Sequence, residues 1–120
     1  RIFSIFRGFP YQPLRTFDKN VIGLFLKHFI HVICSKNMEV FHYLCSWFAF
    51  LFQKPGVKIG TAIVMVGMQG TGKTIFTNAI CRLLGIYGVE NANINNITGK
   101  HNSEILDKIL IVVNEVDSRF

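Results

Sequence analysis

Ile63-Val64-Met65-Val66-Gly67-Met68-Gln69-Gly70-Thr71-Gly72-Lys73-Thr74 joins a short apolar run to a glycine-rich loop, and then to a Lys-Thr pair that opens a helical pattern. Gly67, Gly72, Lys73 and Thr74 match G-x-x-x-x-G-K-[ST], with Gly70 as a further glycine inside the loop. A triphosphate calls for such a sequence because several backbone N–H groups must meet its charge at once. They converge only if the loop curls tightly, which residues without a Cβ allow. Gly67, Met68, Gln69, Gly70, Thr71, Gly72, Lys73 and Thr74 are therefore the candidate nucleotide-binding residues. The helix starting near Lys73 adds the positive end of its dipole, the Lys73 ammonium reaches toward β- and γ-phosphates, and the Thr74 hydroxyl suits Mg²⁺. A loop that served only as a turn would need the glycines but not Lys-Thr at this offset.

Upstream of the loop, Thr61–Val66 is a near-continuous β-branched run, the pattern of a strand buried on both faces of a parallel sheet. Downstream, Ile75, Phe76, Ala79, Ile80, Leu83 and Leu84 recur at helical spacing, and Gly85 is the expected stop. The unit reads strand, phosphate loop, helix. Residues 86–102 are polar and asparagine-rich, with room for a short strand, and Ser103 is placed to cap a short helix through Lys108. The next chemical element is Ile109-Leu110-Ile111-Val112-Val113-Asn114-Glu115-Val116-Asp117, an aliphatic run ending in acidic groups. A buried strand of this kind delivers carboxylates beside a metal and a γ-phosphate. Glu115, 42 residues after Lys73, is the candidate for polarising an attacking water. Asn114 offers a neutral oxygen where an Asp commonly holds the metal's water shell, so Thr74, Asn114 and Glu115, with Asp117 in reserve, form the candidate Mg²⁺ set.

The first half of the chain is different in kind. Phe3, Phe6, Phe9 and Phe17 lie among Gly8, Pro10 and Pro13, an irregular lead-in anchored by aromatics. Thr16 or Asp18 is expected to cap a helix over 19–35, and a second helix over 38–52 is expected to end at Lys54-Pro55-Gly56. Joined by the Lys36-Asn37 turn, the two make a helical hairpin that is apolar on most faces and needs burial. His28, His31 and Cys34 at i, i+3 and i+6, with His42 near, suggest a metal site, but no partner set completes four ligands. Trp47 and its neighbouring phenylalanines could stack on bases; their helical spacing inside an apolar run favours core packing.

At 120 residues the chain can bury one small core, and it is short for a complete P-loop ATPase, so a fragment of a longer protein is expected. Half of its residues are hydrophobic and twelve are Phe, with mean hydropathy +0.36. The longest apolar run, Val40–Phe52, is below the ~18 residues of a membrane span, and no signal peptide is recognisable. Net charge is +6, and all of the excess lies in residues 1–60, where eight Lys/Arg face Asp18 and Glu39. The cations are scattered, which suits polyanion contact and a merely solvated surface equally. Cys34, Cys45 and Cys81 are widely spaced in apolar segments, the pattern of reduced, buried thiols in an intracellular protein.

Together these residues resemble the superfamily 3 helicase core of poxvirus-type and phage-type primase-helicases. The resemblance rests on the 37–55 helix ending in Gln53-Lys54-Pro55 and on the Gly67–Thr74 loop with its Gln69-Gly70-Thr71 centre. Leu84-Gly85, the lead-in Arg7-Gly8-Phe9, and Thr98-Gly99-Lys100-His101-Asn102 running on to Asn114-Glu115 complete it. It covers nearly the whole chain, and the phosphate loop is its specific part. The resemblance implies an ATP- and Mg²⁺-dependent motor of viral or mobile-element origin. Such motors are typically six-membered rings that translocate on single-stranded DNA and separate duplex during replication, with an arginine from a neighbouring subunit completing a site that contains Lys73, Thr74 and Glu115. The expected fold class is α/β, an incomplete P-loop NTPase core of AAA+-like type (57–120) preceded by the aromatic lead-in and α-helical hairpin (1–56). A small-molecule P-loop kinase and a degenerate, non-hydrolysing nucleotide-binding module remain open alternatives.

Overall fold

The computed structural model describes residues 6–66, 72–90, 105 and 107–113. By compactness the chain divides into two units, residues 12–76 and residues 1–11 with 77–120. Helix α3 (Lys73–Leu84) begins in the former and continues into the latter.

In the 12–76 unit, α1 spans Lys19–His28 and is capped by Asp18, whose carboxylate accepts the Asn20 N–H at 2.9 Å. The helix expected over 19–35 does not run through as one α-helix. From Phe29 to Ile33 it widens into a π-helical turn, with Cys34 N–H donating to Phe29 O (3.0 Å) and Lys36 N–H to Ile30 O (2.8 Å). Ser35 and Lys36 then take φ of +50° and +62°, left-handed values that stop a helix and that non-glycine residues adopt at some cost. Asn37 restarts the chain as α2 (Met38–Gln53), its side-chain oxygen accepting the N–H groups of Glu39 (3.1 Å) and Val40 (3.3 Å). Two otherwise orphaned first-turn donors rest on that one oxygen. Asn37→Ala is accordingly expected to cost about 1 kcal/mol of stability, read as a lowered urea midpoint with an unchanged denaturant slope.

The hairpin's buried face is aromatic. Phe29 sits edge-on to Phe41, Phe48 and Phe76 at centroid distances of 5.2, 6.5 and 4.6 Å, and Phe25 stacks on Phe76 at 5.9 Å and 18°. Phe48 belongs to this cluster, in keeping with the core-packing reading of the 47–52 aromatics. Trp47 lies edge-on to Phe48 and donates its indole N–H to Thr61 Oγ1 at 3.0 Å. Much of α1 stays exposed nonetheless, including Val21, Ile22 and Leu24.

The expected strand over 61–66 is not formed. Residues 58–66 carry no regular structure, and Val64 and Val66 are 82% and 93% exposed. A β-branched run supplies propensity but not pairing partners. A strand exists only where a neighbouring backbone takes its N–H and C=O groups, and among the described residues nothing does so for 62–66.

In the other unit, α3 buries Ile80, Cys81 and Leu84, and the stripe is narrower than its spacing suggested, since Leu83 is exposed. Gly85, at φ +65°, ends the helix as expected and leads through a 3₁₀ turn (Gly85–Tyr87) into β1 (Gly88–Val89). A Cβ at Gly85 would stand 2.9 Å from Pro10 Cγ. The aromatic lead-in docks here: Phe6 and Phe9 pack on Tyr87 at 5.0 and 6.3 Å, and the Tyr87 hydroxyl accepts the Arg7 N–H at 2.6 Å. Strand β1 pairs in parallel with β2 (Leu110–Ile111), Gly88 opposite Leu110 and Val89 opposite Ile111. Flanking bonds, Ile109 N–H to Tyr87 O (2.7 Å) and Val112 N–H to Val89 O (2.8 Å), extend the ladder. The short helix expected over 103–108 lies largely outside the described residues.

Candidate functional site

The Gly-Lys-Thr triplet stands at the start of α3. Gly72 has φ +87°, Lys73 is the first helical residue, and the first intrahelical bond runs from Phe76 N–H to Gly72 O at 3.2 Å. The N–H groups of residues 73–75 therefore belong to the helix end that carries the positive pole of the dipole. Lys73 is half-buried and Thr74 exposed. A left-handed glycine feeding a helix that opens Lys-Thr suits a phosphate: the helix end and the ammonium supply positive charge, and the hydroxyl supplies a hard oxygen of the kind Mg²⁺ takes. Gly67, Met68, Gln69, Gly70, Thr71, Asn114 and Glu115 lie outside the described residues.

Lys73 also lines a cleft of about 540 Å³ together with Ser35, residues 62–66 and the apolar side chains of Val32, Val40, Tyr43 and Leu44. That volume is in the range of small-molecule sites. A residue the sequence pointed to only as a metal candidate is present here in another role. His28, the last residue of α1, places Nε2 3.2 Å from the Gly72 carbonyl oxygen. A carbonyl can only accept, so Nε2 carries the hydrogen and donates. A Cβ on Gly72 would overlap the His28 ring, so the glycine is needed for close approach as well as for its φ. The two positions are 44 residues apart, and nothing in local spacing couples them. Among the described residues, no group of three or more His, Cys, Asp or Glu could hold a metal ion, and the His28/His31/Cys34 arrangement does not assemble into one.

The second unit has a shallow depression of about 410 Å³ lined by Asn78, Cys81, Arg82, Gly85, Gly88 and Glu90. With its nitrogen turned toward Glu90, the Asn78 amide donates to the carboxylate. Burial, with the Glu90 charge adding to it, pushes the Cys81 thiol up to about 11. Burial likewise raises Cys34, helped by Cys45, and raises Cys45 itself. All three therefore hold their protons at neutral pH and are poor nucleophiles. Among the described residues no helix is long and apolar enough to cross a membrane.

Residues 65–120 match a family of unknown function, DUF5906; the matched stretch contains Gly67–Thr74 and Asn114-Glu115. The chain is also similar to the DNA primase-polymerase of Nitratiruptor phage NrS-1, with 25% identity over 107 residues. That alignment takes in 89% of this chain and 14% of the relative's length. No solved structure matches significantly. The comparisons thus set the chain beside a phage replication-type protein and a family without an assigned function.

Proposed function

We propose that the chain carries the ATP-binding part of a phage-type DNA replication protein, an incomplete P-loop NTPase core of a helicase motor acting on single-stranded DNA. The observation that carries this reading is the left-handed Gly72 followed by Lys73-Thr74 at the first turn of α3. Similarity to a phage DNA primase-polymerase supports the replication setting. The parallel pairing of β1 with β2 supports an α/β core, and Asn114-Glu115 follow β2 closely in the sequence; ligands gather beyond the carboxyl ends of strands in parallel sheets. In this reading Gly67–Thr74 hold the phosphates, Thr74 and Asn114 orient the Mg²⁺ that ATP brings, and Glu115 takes or orients the proton of water. The work of coupling hydrolysis to strand separation would fall to a homo-oligomeric ring, with a neighbour's arginine at the γ-phosphate.

The test is ATP binding and DNA-stimulated ATP hydrolysis by the full-length polypeptide, with Lys73→Ala beside the wild type. Charge-assisted contacts to phosphate are worth more than neutral ones, so Lys73→Ala should weaken ATP binding roughly 10- to 100-fold. It should also abolish the DNA-stimulated rate. Turnover that needs a small phosphate acceptor and ignores DNA would move the site to a kinase. Nucleotide binding with no turnover under any condition would make it a binding module.

A further inference from the structure

The His28 contact to Gly72 has no part in the reading above, which needs only the loop, Lys73 and Thr74. His28 meets Gly72 twice. Its Nε2–H donates to the carbonyl, and its ring covers the bare Cα on the side where any other residue would carry a Cβ. Gly72 O accepts the Phe76 N–H as well, so one oxygen takes both the first helical bond of α3 and the histidine. The next residue along, Phe29, is buried and packs edge-on to Phe76 at 4.6 Å. Two successive residues at the end of α1 thus grip the start of α3, His28 by a side-chain hydrogen bond to the Gly72 carbonyl and Phe29 by ring packing on Phe76.

We propose that His28 is a positioning residue of the phosphate loop, holding the Gly72 peptide so that the Lys73 N–H and ammonium are presented together to the nucleotide's phosphates. The proposal rests on the nucleotide-binding reading and extends it to α1. Gly72 is the last flexible joint before the helix. Its left-handed φ lies in a region that a glycine reaches about as readily as others, so the backbone alone does not choose it. A donor fixed on a separate helix does choose it, and removes the need to order the joint when phosphate arrives.

Three substitutions separate the donor from bulk. His28→Gln keeps an N–H near the position of Nε2, His28→Phe keeps a ring without a donor, and His28→Ala removes both. Two readouts are taken on the full-length polypeptide: amide hydrogen exchange of residues 72–76 without nucleotide, and the equilibrium dissociation constant for Mg·ATP. One lost hydrogen bond corresponds to about 3- to 10-fold in an equilibrium. His28→Ala and His28→Phe should therefore weaken Mg·ATP by about that factor and speed exchange of the 72–76 amides, while His28→Gln stays within about 2-fold of wild type. Lys73-dependent ATP binding that is indifferent to His28→Ala and His28→Phe overturns the positioning role and leaves the nucleotide reading intact. So does His28→Gln behaving like His28→Ala. Absence of Lys73-dependent ATP binding in the wild type sinks the nucleotide reading and the positioning role with it.

Discussion

Phe76→Ala is expected to destabilise the 12–76 unit by about 3–5 kcal/mol, the cost of emptying a large aromatic site that its surroundings only partly refill. Phe76 is 1% exposed. It touches three rings from two directions, stacked on Phe25 and edge-on to Phe29 and Phe48, the last at 5.4 Å. Each such pair adds to what area burial alone contributes. Small domains are stable by only about 5–15 kcal/mol in all, so this one change should remove roughly a fifth or more of the total and bring the urea midpoint sharply down. The neighbouring Ile75→Ala is the control. Ile75 is 69% exposed, and alanine is the better helix former, so that variant should stay within about 0.5 kcal/mol of wild type. If both variants melt alike, Phe76 is not the centre of the cluster.

What the sequence could and could not reveal follows from the range of each interaction. Helix α2 was legible almost to the residue, because the Lys36-Asn37 turn before it and the Lys54-Pro55 stop after it are local signals. The end of α3 at Gly85 was legible for the same reason. The π-helical turn at Phe29–Ile33 was not, since Ile30, Val32 and Ile33 continue a helical spacing without a break. The widened turn runs into a tight exit through left-handed Ser35 and Lys36, neither of them a glycine or an asparagine, so no residue type marks the exit in the sequence. Thr61–Val66 failed in the opposite sense: propensity was high and pairing was missing, so a six-residue run with four β-branched residues stays irregular. The strand at Gly88–Val89 was anticipated only as a possibility within 86–102. Its two residues have no period to read, and it exists because Leu110–Ile111 pairs with it from 22 residues away. At the candidate site the motif announced Gly72, Lys73 and Thr74, but the His28 contact depends on tertiary approach and leaves no trace in spacing.

On the proposed nucleotide-hydrolysing reading, Glu115→Gln should separate binding from chemistry. The glutamine is nearly isosteric and still offers an oxygen to a metal's water shell, but it cannot take a proton. ATP affinity is therefore expected to remain within ~3-fold of wild type, while the DNA-stimulated hydrolysis rate falls by about 10²–10⁴, the usual contribution of a positioned general base. Lys73→Ala differs in that ATP binding weakens along with the rate. Strand β2 ends four residues before Glu115 in the sequence. Its ladder to β1 persists through Val112 N–H to Val89 O. Asp117 is the other carboxylate of the same sequence run, two residues after Glu115. Asp117 is then the residue able to substitute for Glu115. Retention of turnover in Glu115→Gln, with loss in Asp117→Asn, would move the base by two residues without disturbing the site. Loss in the first variant alone would fix it at Glu115, and Asn114→Asp would then show, through the Mg²⁺ concentration needed for half-maximal rate, how much the neutral oxygen at 114 costs in metal affinity.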